Sequence, residues 1–262
     1  MSKFSRFLGI SRHSYYLYSA FLLICLLIVY VWWPLVQDYI GYMDGRLPWY
    51  EYIDWLLFGL FLFMSFSIMV YADLKIDGLI IFVGIFGGLV IESWGTQTNL
   101  WHYYTNERPP LWIIPAWPIA SLSIDRITRV LDSLVSWISR RVQSLPFLDS
   151  KYLYWPTFGG FYLLMLSFVS PTFSKSYTII ALIICVVMIL TPVDYRMAVV
   201  VFFAGSGLGY FLELWGTTRE CWVYYTGQTP PVFAVFAHGM AAFAFYRTCM
   251  FIRKCGEWFR FK

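Results

Sequence analysis

The chain has 262 residues, of which 60% are hydrophobic, 22% aromatic and 13% charged. A soluble domain is about 45–50% apolar and about 25% charged, so this chain has too few polar groups to cover a surface in water. The composition excludes a soluble enzyme, a disordered chain and a nucleic-acid binder. It predicts an all-α, polytopic membrane protein.

Lys3, Arg6 and Arg12 precede an apolar run from about Tyr16 to Val36. That run is too long for a signal-peptide core and no small-residue cleavage site follows it, so it predicts an uncleaved first membrane helix. A membrane crossing needs roughly 20 apolar residues. Eight segments qualify, near 14–36, 52–72, 77–95, 111–128, 152–170, 177–193, 197–215 and 231–252. With the N-terminus in the cytoplasm, only Arg46, Arg108, Lys175 and Arg219 fall outside, and the other 15 of the 19 basic residues fall inside. This charge bias predicts eight spans with both termini cytoplasmic. Between spans four and five, Leu131, Leu134, Val135 and Ile138 repeat at helical spacing beside Arg129, Arg140 and Arg141. The pattern predicts an amphipathic helix on the inner membrane surface, from about 124 to 142, with its arginines on anionic headgroups. The five cysteines are scattered, without a C-x-x-C pair, and suggest neither a disulfide framework nor a zinc site.

The sequence repeats itself at a constant offset of 121 residues. Glu92-Ser-Trp94-Gly95-Thr96 returns as Glu213-Leu-Trp215-Gly216-Thr217. Trp101-His-Tyr103-Tyr104-Thr105 returns as Trp222-Val-Tyr224-Tyr225-Thr226, and Pro109-Pro110 as Pro230-Pro231. The offset also pairs Asp73 with Asp194, Gly84 with Gly205, Gly88 with Gly209 and Arg126 with Arg247. The pattern predicts a duplication into two four-helix units, 1–145 and 146–262. An even number of spans per unit makes the two units parallel, unlike the inverted repeats of many transporters.

Spans three and seven end near Glu92 and Glu213. Gly95 and Gly216 are predicted as left-handed helix caps, and each Pro-Pro pair is predicted to open the following helix. Two aromatic loops would then fold back over the helix ends and face each other. A carboxylate inside a membrane costs a few kcal/mol, roughly, and marks a functional site. Glu92 and Glu213 across one cavity make an acid/base pair. The candidate substrate-binding residues are Trp94, Trp101, Tyr103, Tyr104, Trp117, Trp215, Trp222, Tyr224, Tyr225 and His238, whose aromatic faces suit a passing carbocation. The plainer reading pairs each glutamate with Arg108 or Arg219 and makes the aromatics an interfacial belt.

Other polar residues read as structural. Asp73 and Asp194 fall in short inner turns beside Lys75 and Arg196. Asp73-x3-Asp77 has the diphosphate-binding spacing of membrane prenyltransferases, but Ala198 breaks the second copy, which excludes that reading. Arg126 and Arg247 are expected to snorkel to headgroups. His238 stands where the first copy has Trp117 and reads as a buried, hydrogen-bonded histidine whose asymmetry separates the two halves. Three scattered histidines predict no metal site, and no cofactor is expected.

At Glu92-x-x-Gly95-Thr96, Tyr103, Pro109-Pro110, Pro115 and Trp117 the chain resembles the integral-membrane carotenoid hydratase and lycopene-cyclase-like superfamily. The resemblance covers the third and fourth spans of each repeat. The Pro-x-Glu-Glu/Asp motif of the cyclases is absent, since Ser93 follows Glu92 and Leu214 follows Glu213. The resemblance implies an isoprenoid- or carotenoid-modifying enzyme that works without metal. A protonated Glu92 or Glu213 would start cyclisation or hydration, the other carboxylate would accept a proton or activate water, and the substrate would arrive from the bilayer. Membrane lipids and a hydrophobic isoprenoid or carotenoid are the expected ligands. The competing expectation is a non-catalytic membrane subunit or a lipid- or pigment-binding scaffold, with a membrane-protein partner docked on the amphipathic helix.

Overall fold

The structure, a computed structural model, describes residues 8–41, 43, 46–141 and 151–260. It is helical except for two three-residue strands. The helices are α1 (Arg12–Val31), α2 (Trp33–Gly41), α3 (Trp55–Met69), α4 (Leu74–Gln97), α5 (Ala116–Arg141), α6 (Lys151–Val169), α7 (Ser176–Leu190), α8 (Tyr195–Thr218) and α9 (Val232–Arg260). The strands are β1 (Trp101–Tyr103) and β2 (Trp222–Tyr224). Each of the eight predicted segments carries a helix. Among the described residues, four are long and apolar enough to cross a membrane: α1, α4, α8 and the Val232–Glu257 part of α9. Helices α3 and α7 are apolar but only 15 residues long. The predicted boundary at 145/146 lies outside the described residues.

The sequence-based reading needs correction at three elements. The amphipathic stretch is not a separate helix. It continues span four as one 26-residue helix, α5. No glycine or proline interrupts 119–141, and an i,i+4 ion pair from Arg129 to Asp125 at 2.8 Å bridges the proposed break. Second, the two Pro-Pro pairs do not act alike. Val232 starts α9 directly after Pro231, whereas 111–115 form successive turns before α5. Pro115 and Pro118 lack the N–H groups that a helix would use there, and Phe236 and Gly239 replace them in the second copy. Third, Arg126 does not snorkel. It is 6% exposed and grips Asp77 through both terminal nitrogens, at 2.9 and 2.7 Å. Its Nε donates to Val70 O at 3.2 Å. Arg247 donates to Met188 O at 2.7 Å. Both arginines therefore tie down carbonyls at the C-terminal end of an apolar helix, α3 for Arg126 and α7 for Arg247.

Asp73 and Asp194 are helix N-caps, accepting from Lys75 N at 3.0 Å and Met197 N at 2.9 Å. Arg196 bonds Asp132 at 2.7 Å. Arg126, Arg196 and Arg247 lie at one end of the helices, the basic end. Here Ser14 holds Met69 O at 2.7 Å and Tyr154 holds Ile189 O at 2.8 Å. The two strands mark the opposite, ribbon end. There Tyr104 holds Val31 O, and Tyr225 holds Phe168 O at 2.6 Å.

Helices α4, α5, α8 and α9 pack through a seam of glycines. A Cβ on Gly84 would stand 3.1 Å from Pro118 Cα, and one on Gly205 would stand 2.7 Å from His238 O. Small residues are what allow two helix backbones to approach this closely. The flanks differ. Tyr154 and Phe158 of α6 are fully buried, with Phe158 packed on Phe202 and Phe243 at 5.2 and 4.7 Å between ring centroids. In α1 only Ser14, Leu17 and Phe21 are buried. The looser flank beside α1 is where the large cavity lies.

Candidate functional site

Helix α4 does not stop at Gly95, nor α8 at Gly216. Each runs two residues further, to Gln97 and Thr218. The left-handed residues are Asn99 at φ 61° and Glu220 at φ 55°. The two glycines serve another purpose. A Cβ at Gly95 would lie 1.9 Å from the Trp101 ring, and a Cβ at Gly216 would lie 1.9 Å from the Trp222 ring. They are glycine so that an indole can lie flush on the helix. The chain then turns back, with Leu100 N on Gly95 O at 3.0 Å and Cys221 N on Gly216 O at 2.9 Å.

The two returning segments meet as an antiparallel ribbon. Trp101 pairs with Tyr224, His102 with Val223 and Tyr103 with Trp222. His102 and Val223 differ by the sequence offset, so a two-fold axis passes between them. The same symmetry relates Tyr104 N to Cys221 O at 3.3 Å and Tyr225 N to Leu100 O at 3.1 Å. The two aromatic loops therefore face each other across the axis.

Beneath the ribbon the two glutamates are buried, at 3% and 4% exposure. Glu92 Oε2 accepts from Trp101 Nε1 at 3.0 Å. Its Oε1 accepts from Tyr103 Oη at 2.9 Å and Trp117 Nε1 at 3.1 Å. Glu213 Oε2 accepts from Trp222 Nε1 at 2.9 Å, and its Oε1 from Tyr224 Oη at 2.9 Å. The third partner differs: His238 Nε2 lies 2.9 Å from Glu213 Oε1. An indole N–H can only donate, so both oxygens of Glu92 and Oε2 of Glu213 are addressed as acceptors. Burial, and then the charge of Glu92, push the Tyr103 hydroxyl well above its ordinary pKa; burial and Glu213 do the same to Tyr224. Both phenols stay protonated and keep donating. The rings of Trp117 and His238 stack at 5.8 Å and 19°.

The arginine pairing considered from sequence does not form at Glu213, because Arg219 bonds Asp54 through Nε at 2.9 Å and Nη2 at 3.0 Å. Asp54 also accepts from Trp215 Nε1 at 2.8 Å. Trp94, the offset partner of Trp215, donates to Thr178 Oγ1 at 3.2 Å. Each tryptophan thus holds the start of an apolar helix from the other half, α3 or α7.

Both glutamates line one cavity of about 750 Å³ between the ribbon and helices α1, α3, α4, α5, α8 and α9. Trp94, Trp101, Tyr103, Trp117, Trp215, Trp222, Tyr224 and His238 share its wall. Tyr104 and Tyr225 stand outside it, their hydroxyls held by α1 and α6. Sequence reading missed Asp54 and Trp32 on the same wall, the latter stacked on Trp215 at 5.1 Å. Asp54 carries the signal of a helix N-cap, but nothing local links it to Trp215. Among the described residues no three His, Cys, Asp or Glu side chains are grouped to hold a metal ion.

No protein family, curated protein or solved structure matches this chain.

Proposed function

We propose that the protein is a multi-pass membrane protein that holds an apolar isoprenoid or carotenoid chain and performs acid–base chemistry on it. The Glu213–His238 pair is the proton-transfer unit. One observation carries this reading: a carboxyl and an imidazole 2.9 Å apart sit on the wall of an apolar cavity of about 750 Å³. Pockets of about 300–1,000 Å³ with a few convergent polar groups are the usual form of a ligand site. A carboxylate-oriented imidazole is the commonest general acid/base.

In this reading all eight apolar segments cross the bilayer, as two parallel four-helix units with both termini in the cytoplasm. The 15-residue helices α3 and α7 rise only about 22 Å and cross with local thinning of the bilayer. The substrate reaches the cavity from the bilayer beside α1. A proton from the Glu213–His238 pair adds to a terminal double bond and leaves a tertiary cation. The faces of Trp94, Trp101, Trp215 and Trp222 stabilise that cation. Internal ring closure and loss of a proton to Glu92 give a cyclised isomer. Addition of water and loss of a proton give an alcohol instead. Trp117 holds Glu92 with an N–H that does not titrate, so the two glutamates have different tasks.

A second reading draws on the near-identical hydrogen bonding of the two carboxyls. Glutamates that are keystones of the ribbon suit a pigment- or lipid-binding scaffold with a membrane-protein partner. One experiment separates the two. The protein is purified from its membrane, its bound lipids are extracted and identified by mass spectrometry, and turnover of the recovered chain is followed. A bound isoprenoid, converted by the wild type and retained unconverted by His238→Asn, is the expected result. A bound polyene that is never converted, or an extract holding lipid without any isoprenoid, supports the scaffold and sinks the enzymatic reading.

A further inference from the structure

A smaller cavity of about 110 Å³ shares Trp117 and His238 with the large one and extends from them towards the basic end. Its residues straddle the two-fold axis. Ile80 and Val201 are offset partners, as are Ala120 and Ala241, and all four line it. The symmetry ends with polarity. From α5 come Ser121, Asp125 and Thr128, which follow Trp117 at helical spacing and so share one face. Their counterparts on α9 are Ala242, Tyr246 and Cys249. The far end meets Asp125, which bonds Arg126 at 2.7 Å and Arg129 at 2.8 Å, and the exposed Arg253.

We propose that this cavity is a hydrated proton path from the basic end to His238, distinct from the ligand's own route. At a liquid share of about 30 Å³ per water, it has room for a file of about three to four molecules. Ser121 Oγ donates to Trp117 O at 2.8 Å, and its lone pairs serve as acceptors for such a file. Thr128 lines the cavity and is buried, and its hydroxyl finds no hydrogen-bond partner among the described residues. The titratable groups facing His238 are then Glu213 from α8 and, through the path, Asp125 from α5 with Tyr246, Cys249 and Arg253 from α9. The path supplies the Glu213–His238 chemistry from one side while the apolar ligand occupies the other. Its use in turnover rests on the function proposed above, but its existence does not.

The test reads proton exchange, not turnover. Full-length protein with ¹⁵N-labelled histidine is placed in lipid nanodiscs. Exchange of the His238 imidazole N–H with water is measured by solid-state NMR, and the signal is assigned by its loss in His238→Asn. Ser121→Leu, which fills the path, is expected to slow exchange at least tenfold, and Thr128→Val, nearly isosteric, several-fold. Phe58→Trp, which narrows only the large cavity, is expected to leave the rate unchanged. If Ser121→Leu does not fold, Thr128→Val decides. The path is refuted if wild-type His238 does not exchange, if neither path variant slows it, or if Phe58→Trp is the variant that does. A refuted path alongside an inactive His238→Asn enzyme leaves the function reading standing with another proton source.

Discussion

The imidazole of His238 and the indole of Trp117 stack at 5.8 Å across the molecular two-fold, each bonded to its own glutamate. They are the one difference among the six side chains that bond the two carboxyls. A ring that exchanges protons faces one that does not, so the chemical asymmetry of the site is concentrated in this pair.

Under the acid–base function proposed above, replacing His238 by Asn is expected to lower turnover at least 100-fold, the usual contribution of a general acid or base. Trp117→Phe keeps the stacked ring and removes one donor from Glu92, and should cost less than tenfold. Steady-state rates of the two variants on the extracted chain check this. Equal losses would show that the asymmetry has no catalytic meaning.

The carboxyls also hold the ribbon in place. Glu92→Gln turns one acceptor oxygen into an NH₂ group, which faces an indole or phenol that is itself donating. A buried polar group left without its partner costs about 1–3 kcal/mol. Both Glu92→Gln and Glu213→Gln should lower the unfolding free energy in detergent by that amount, seen as a lower unfolding midpoint, while remaining folded. An unchanged midpoint in both would mean that the network does not stabilise the ribbon.

Gly95→Ala and Gly216→Ala place a methyl inside the space of an indole, 1.9 Å from its nearest atoms. Overpacking of this kind costs typically about 1–3 kcal/mol. The double variant Gly95→Ala/Trp101→Phe should recover part of the loss, because the smaller ring frees the contact. A denaturation series on the four members of the cycle measures the coupling. Additive losses would contradict the contact.

Asp77→Ala leaves Arg126 buried beside Val70 without its bidentate partner. Breaking a buried pair from one side costs about 3–5 kcal/mol. In the second half Ala198 already stands at that position, and Arg247 relies on Met188 O and Thr191 Oγ1. Arg247→Ala is expected to cost less than half as much. Urea or thermal unfolding of the two variants ranks them.

Much of the helical layout could be read from the chain. Apolar runs located eight helices because a backbone without water to bond must pair with itself, and the helix does so locally. The site was legible in part. The repeat identified Glu92, Glu213 and their tryptophans and tyrosines because two copies of one pattern are visible without any structure. Gly95 was misread because a glycine near a helix end suggests a left-handed cap, while its actual neighbour, the Trp101 ring, returns to it only through the turn at Asn99. Arg126 was misread because the partner that makes it buried, Asp77, lies 49 residues away.

The sequence by itself determined the apolar helical character, the duplicated motif and the identity of the two carboxyls. These depend on composition and on spacing along one chain. Tertiary structure decided what those residues face: the ribbon across the axis, the grip of Trp215 on Asp54, the Trp117–His238 stack and the cavity of about 750 Å³ beside α1. Each of these needs side chains from different helices to arrive at one point. The aromatic bulk of α6 closes its side, and α1, with three buried residues, leaves its side open. That difference comes from three-dimensional packing, which no periodicity along the chain records.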